Sequence, residues 1–274
     1  MYKIGMSSCA FALTEESFGA LSNSGVEAIE ISMRLEGLLT LDCRAVAELA
    51  KRYGIDLWSY HLPFLPFREI DPSSLDPAVR KNTLDVFSEL IKKASDVGID
   101  QFVVHPSGEP IPNEVRKDRM LYSMESLDRL AELAHRQGAI IAVEDLPRTC
   151  LGNTAADILR LISANDKLRV CFDTNHLLTE SNLDFMEQIG DKMVTVHISD
   201  YDFIDEKHWL PGEGLLDWNA MLATFQKIGY KGVWMYELGR KSPKTLSRSR
   251  DLTFDDFVRN AREIFKGKTL TRID

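Results

Sequence analysis

Short apolar runs rich in β-branched and aromatic residues alternate along this chain with longer amphipathic stretches, and the alternation repeats eight times. The runs predict strands over Lys3 to Ser7, Val26 to Ile31, Asp56 to Tyr60, Gln101 to His105, Ile140 to Glu144, Arg169 to Asp173, Met193 to His197 and Gly232 to Glu237. Helical periodicity marks Asp42 to Tyr53, Pro77 to Val97, Asn113 to Gln137, Thr154 to Ser163, Trp218 to Ile228 and Phe254 to Phe265. Thr14 and Asp42 stand where a helix needs a side-chain acceptor, and the fragments YGID, VGID, QGAI and IGYKG each place a glycine just before a strand. Such repetition predicts an α/β protein, a parallel sheet closed into a (β/α)8 TIM barrel, with residues 1–274 forming one domain. An open doubly wound sheet is the alternative. Strand one, however, runs into Ser7-Ser8-Cys9-Ala10-Phe11 and not into the glycine-rich turn of a dinucleotide site, so no organic cofactor is expected.

Composition adds exclusions. With 44% hydrophobic and 27% charged residues and no apolar run near the ~20 residues of a membrane span, the chain is not expected to insert into a bilayer. A formal net charge of −9 weighs against a broad nucleic-acid surface. Cys9, Cys43, Cys150 and Cys171 lack metal-like spacing and are expected to be reduced. The opening Met1 to Met6 reads as a strand and not as a secretory signal, which makes the cytoplasm the expected compartment.

Candidate chemistry gathers at the ends of the strands. Of six histidines, His61, His105, His176, His197 and His208 fall at or just beyond a strand C-terminus, while His135 lies in a helix and is expected to face solvent. Glu144, Asp173 and Glu237 each close an apolar strand that would otherwise bury them. A carboxylate left alone there would forfeit several kcal/mol of hydration, so it must be paired, protonated or bound to a cation. Ring closure brings strand ends together, and a mixed imidazole and carboxylate set suits Mn2+, Zn2+, Co2+ or Fe2+ better than Ca2+, with Mg2+ a further candidate. A structural ion network would use the same residue types. His61 and His105, taken singly, read equally well as core histidines bonded to carbonyls, and His208 as a solvated loop residue.

The stretches CFDTNHLL, VTVHISD, HWLPGEGLLDW and GVWMYELG, in this order and spacing and supported upstream by HLPF and VVHPSG, resemble the xylose isomerase-like TIM barrel superfamily over nearly the whole chain. They most resemble its sugar phosphate isomerase/epimerase members. By analogy with the ketose 3-epimerases of that superfamily, the resemblance implies a divalent metal on Glu144, Asp173, His197 and Glu237. It further implies that Glu144 and Glu237 are the catalytic acid and base, and that His176 contacts a substrate oxygen. The superfamily also contains metal-dependent apurinic endonucleases with three zinc ions, whose larger set would extend to His61, His105, His176 and His208. There the chain departs from the pattern, since Glu206-Lys207-His208 stands where those enzymes have Asp-x-His.

The leading expectation is therefore a metal-dependent isomerase or epimerase that abstracts a proton beside the carbonyl of a small sugar, sugar phosphate or polyol. The alternatives are a keto-sugar dehydratase or lyase using the same site, an apurinic endonuclease-like phosphodiesterase, and a non-enzymatic binding barrel. Arg148, and Arg240 within the basic loop RKSPKTLSRSR after Glu237, are candidate phosphate or anion contacts. The blander readings are a surface ion pair for Arg148, and a solvated loop or a contact with another copy in a homo-oligomer for the basic segment. Trp58, Phe64 and Trp209 are candidates for stacking on a sugar ring, or for packing.

Overall fold

Eight strands run parallel in the computed structural model, which describes residues 1–273. They are β1 (Ile4–Ser7), β2 (Ala28–Ile31), β3 (Asp56–His61), β4 (Gln101–Val104), β5 (Ile140–Glu144), β6 (Arg169–Asp173), β7 (Met193–His197) and β8 (Trp234–Tyr236). Each pairs with its neighbour in chain order, and β8 also pairs with β1. The ring closes between β7 and β8 through a parallel bridge from Ile198 to Tyr236. There the Ile198 N–H donates to Met235 at 2.7 Å and the Glu237 N–H donates to Ile198 at 3.3 Å. The (β/α)8 barrel is thus present, with strand boundaries within two residues of the expected ones.

Around it lie α1 (Glu15–Ser24), α2 (Leu35–Thr40), α3 (Cys43–Tyr53), α4 (Pro77–Ser95), α5 (Asn113–Arg136), α6 (Ala155–Ile162), α7 (Asn182–Ile189), α8 (Trp218–Lys227) and α9 (Phe254–Phe265). Side chains of Thr14, Asp42, Asp76, Thr154, Ser181, Asp217 and Thr253 accept first-turn N–H groups, which fixes where seven of these helices begin. The periodic pattern does not show α2 or α7. The first spans six residues with Gly37 inside it, too few turns to present a sustained apolar stripe, and in the second the polar Asn182 occupies a buried position of the inward face. None of the described helices is long and apolar enough to cross a membrane.

Outward-facing strand residues such as Ile29, Ile31, Phe102, Ile141 and Phe172 pack under the helices in the main core. Each fully buried side chain of this size contributes about 1.5–3 kcal/mol by leaving water. Inside the ring the packing is tighter. Gly5 faces Val233 and Met235 so closely that a Cβ would stand 2.5 Å from the valine methyl, so β1 can approach β8 only with glycine there. Trp58 packs with Ala28, Val233 and Met235 and donates its indole N–H across the barrel to Thr195 at 3.1 Å. It is a barrel plug, not a sugar-stacking platform. With the interior filled, the open end of the ring is left to carry chemistry.

Two register shifts adjust that end. One falls between Ile29 and Glu30 and sets Glu30 opposite Ser59; the other falls between Val170 and Cys171 and sets Asp173 opposite His197. A bulge re-aims side chains without breaking the sheet, and here each brings an inward-pointing polar residue level with a partner.

Candidate active site

Glu144, Asp173, His197 and Glu237, from the ends of β5, β6 and β7 and just past β8, each offer a ligand atom, and these atoms all lie within 4.8 Å of one another. His197 Nδ1 is 2.9 Å from Glu144 Oε1 and 3.0 Å from Glu237 Oε2. Asp173 Oδ1 accepts from the Asn175 N–H at 2.8 Å, but its Oδ2 is buried without a hydrogen-bond partner among the described residues. That orphaned oxygen, together with two further carboxylates and an imidazole, forms a donor set that could hold a divalent cation. Burial and the nearby Glu237 and Glu144 charges raise the Asp173 carboxyl to about 6 against the pull of His176 and His208. Burial would raise Glu237 as well, but the His197 charge and hydrogen bond outweigh it and hold Glu237 at about 2.

The remaining expected histidines surround this quartet in two further groups. His61 Nε2 and His105 Nε2 each lie 3.1 Å from Glu144 Oε2, so Glu144 is shared between His61 and His105 on one side and the quartet on the other. Burial disfavours a charged His61, yet the Glu144 hydrogen bond and charge prevail and hold the ring up to about 9. His105 is lowered, because burial wins over Glu144. On the other flank His176, Glu206 and His208 converge, with His176 Nε2 3.4 Å from Glu206 Oε2 and 3.5 Å from Asp173 Oδ2. His208 holds φ at 50°, a left-handed conformation that non-glycine residues seldom adopt, and its Nδ1 is 3.0 Å from the Glu237 carbonyl. His135 is exposed at the end of α5.

Two acidic residues here escape the sequence patterns. Asp145 accepts the Asp173 N–H at 2.7 Å, and its carbonyl meets His176 Nδ1 at 2.8 Å, which orients both neighbours. Glu30 is fully buried on β2, accepts from Ser59 Oγ at 2.9 Å and lies 3.0 Å from His197 Nε2. The Glu30 contact fixes the ring plane of His197 with Nδ1 turned toward the quartet, and with a cation on Nδ1 the Nε2–H would donate to Glu30 and strengthen Nδ1 as a ligand. Glu30→Gln should therefore weaken divalent-metal affinity about 10–100-fold, measured by competition with a chromogenic chelator. An unchanged affinity would reduce Glu30 to a packing role.

A cavity of about 820 Å3 opens above these groups. His61, His105, Glu144, His176, Glu206, His208 and Glu237 line it, while Asp173 and His197 lie deeper. Arg148 lines it too, at φ 53°, but its guanidinium is engaged with Glu109, with Asp205 at 2.8 Å and with Glu206 at 3.0 Å. Arg240 is elsewhere: it donates to the Leu252 carbonyl and stacks over Phe254, outside the cavity wall. Neither expected anion contact offers a free guanidinium to a phosphate in the cavity. Phe64 lines the cavity, whereas Trp209 ties its indole N–H to Thr245 in the basic loop.

That loop is pinned to the turn after His208. Arg248 is buried and forms a bidentate pair with Glu213, both bonds at 2.7 Å, and Glu213 also accepts the Leu210 N–H. Leaving a buried guanidinium without its carboxylate costs about 3–5 kcal/mol. Glu213→Ala should lower the unfolding free energy by that amount in urea titrations, whereas Lys244→Ala, on the same loop, should change it by under ~0.5 kcal/mol.

A family model described as "Xylose isomerase-like TIM barrel" matches residues 18–255. The chain belongs to that family. Among the relatives of this xylose isomerase-like protein, inosose isomerase of Bacillus licheniformis is 30% identical over 161 residues, 54% of this chain and 55% of its own. Fructoselysine 3-epimerase of Shigella flexneri is 23% identical over 256 residues, covering 86% and 90%. The match to an uncharacterized protein of Methanocaldococcus jannaschii, 28% identical over 195 residues, spans 68% of this chain and 65% of that one. A solved D-tagatose 3-epimerase-like protein superposes with a TM-score of 0.79 at 23% identity, over 96% of this chain and 97% of the other.

Proposed function

We propose that this xylose isomerase-like protein is a metal-dependent isomerase or epimerase of a sugar or polyol. The observation that carries the reading is the pair Glu144 and Glu237, both within hydrogen-bond reach of His197 Nδ1 and both lining the cavity, in a quartet in which Asp173 has an oxygen unsatisfied among the described residues. Glu144, Asp173, His197 and Glu237 would hold a Mn2+, Zn2+, Co2+ or Mg2+ ion, which when bound polarises a substrate carbonyl and stabilises the negative charge that develops as its neighbour loses a proton. One glutamate, in its ionised form, takes that proton from carbon, and the other, carrying a proton drawn from solvent, returns one, so that the two exchange protonation states in each turnover. His176 donates to a substrate oxygen. Loss of a β-substituent instead of reprotonation would make the same residues a dehydratase or lyase. The names of inosose isomerase and fructoselysine 3-epimerase among the relatives support the sugar reading.

The test is metal analysis of protein purified without chelator, followed by incubation of the loaded protein with a panel of ketoses and their phosphates in deuterated water. Deuterium incorporation beside the carbonyl supports the reading. One metal-loaded preparation that exchanges no ketose, inosose or keto-glycoside would sink it. A second reading has its own observation: three adjoining metal-capable groups, two of which share Glu144, match a three-cation phosphodiesterase in residue type. Against it, Arg148 already supplies the positive charge beside Glu206 that a third cation would bring. Three metals per chain together with cleavage of an abasic duplex would favour that reading.

A further inference from the structure

We propose that the natural substrate is a ketose-like polyol carrying an apolar substituent, an aryl or alkyl group, with the polyol seated on the β5 to β8 side of the cavity and the substituent on the β1 to β3 side. The inference rests on the isomerase reading and specifies its substrate. The cavity is divided by the strands that supply its walls. Glu144, His176, Glu206, His208 and Glu237 reach it from the β5 to β8 half. The facing wall, built by the loops after β1, β2 and β3 and the start of α2, is predominantly apolar and presents Phe11, Met33, Leu35, Phe64, Leu65 and Phe67. The two halves are continuous, because the Phe64 ring stacks on His105 with centroids 4.3 Å apart and planes 17° from parallel.

This wall is built, not incidental. Phe67 lies so close over Gly108 that a Cβ there would come within 2.8 Å of its ring, so the loop after β4 is fitted to the aromatic. Met33, Phe64 and Leu65 nevertheless remain 39%, 37% and 47% exposed. A contiguous apolar face joined to a reactive floor marks a binding surface. Hydroxyl groups placed against it would give up hydrogen bonds to water and regain few. The serine hydroxyl at the foot of that wall is already engaged: Ser8 Oγ donates to the Ser32 carbonyl and accepts the Ser32 N–H. An unsubstituted hexose would leave much of 820 Å3 to water, whereas a ring or alkyl chain on the same sugar would cover the face. Arg34, exposed at the rim and without an ion pair among the described residues, makes an anionic substituent the competing chemistry.

The experiment is calorimetric titration of manganese-loaded protein with N-methyl fructosamine, with phosphorylated fructose and with N-benzyl fructosamine, which carries the phenyl ring on an alkylammonium of the same charge as the methyl compound. Burying the phenyl ring predicts at least about tenfold tighter binding of the benzyl than of the methyl compound. Met33→Asp and Leu65→Asp, both at exposed positions, should each cut the benzyl-to-methyl ratio several-fold. Equal affinities for the two amines, or tighter binding of the phosphate, would overturn the inference. So would a change of sedimentation in Leu65→Asp with an unaltered ratio, which would assign the face to a second copy of the chain. Deuterium exchange into ketoses by the same preparation reads the isomerase reading separately, so failure of one is distinguishable from failure of the other.

Discussion

Glu144→Gln and Glu237→Gln should each reduce solvent-deuterium uptake into substrate by about a hundredfold to ten-thousandfold, the range expected when a positioned acid or base is removed. The amide keeps the shape of the side chain and one oxygen donor, but it cannot accept a proton from carbon. Both residues are also ligand candidates, so exchange must be compared at matched metal content. The two variants should differ in one respect. Glu144 sits among His61, His105 and His197, and its loss should disturb their protonation, whereas Glu237 faces His197 on the more open edge of the group. Deuterium exchange retained in both variants, with metal bound, would reject the two-carboxylate mechanism.

Adding a divalent ion should raise the melting temperature on the order of 5–10 °C when the free ion is about a hundred times its dissociation constant, because binding at that ratio contributes about 2.7 kcal/mol. The rise should grow as pH increases from about 5 to 7. Burial and the neighbouring glutamates raise the Asp173 carboxyl to about 6 in the metal-free protein, above its unfolded value. A group raised in this way gives stability that is fully present below the unfolded value and is lost as pH climbs through the folded one. The metal-free protein therefore loses this contribution between about pH 4 and 6. A bound cation favours the ionised carboxylate and removes the loss. Scanning calorimetry with metal and with chelator across this range measures the difference; a metal effect that shrinks toward neutral pH would contradict the role given to Asp173.

The strands and the residues that close them could be read from the sequence because the barrel imposes a local rule. A parallel strand buried on both faces is apolar almost throughout, so a carboxylate such as Asp173 at its end stands out, and ring closure gathers such residues without any contiguous motif. Glu30 obeys the same rule and was still hidden. It sits in VEAIEIS, where Glu27 and Glu30 are three residues apart and fit no strand alternation, and its level with Ser59 depends on a register shift that only strand pairing reveals. The signal available was that β2 has no solvent face, so a glutamate inside it must have a partner. Arg148 and Arg240 show the opposite failure. Their positions after strand ends suggested anion contacts, but the acids around Arg148 and the ring of Phe254 under Arg240 come from distant segments, and proximity in sequence could not foresee that competition. The helix α2 is not legible in the sequence because its six residues are too few to set up a periodic apolar stripe.

Among the described residues the join between β7 and β8 rests on one bridge, from Ile198 to Tyr236, and His197 and Glu237 flank it. An ion seated between those two residues would act as a rivet through the seam of the cylinder. Affinity for the ion and mechanical integrity of the wall would then be one trait.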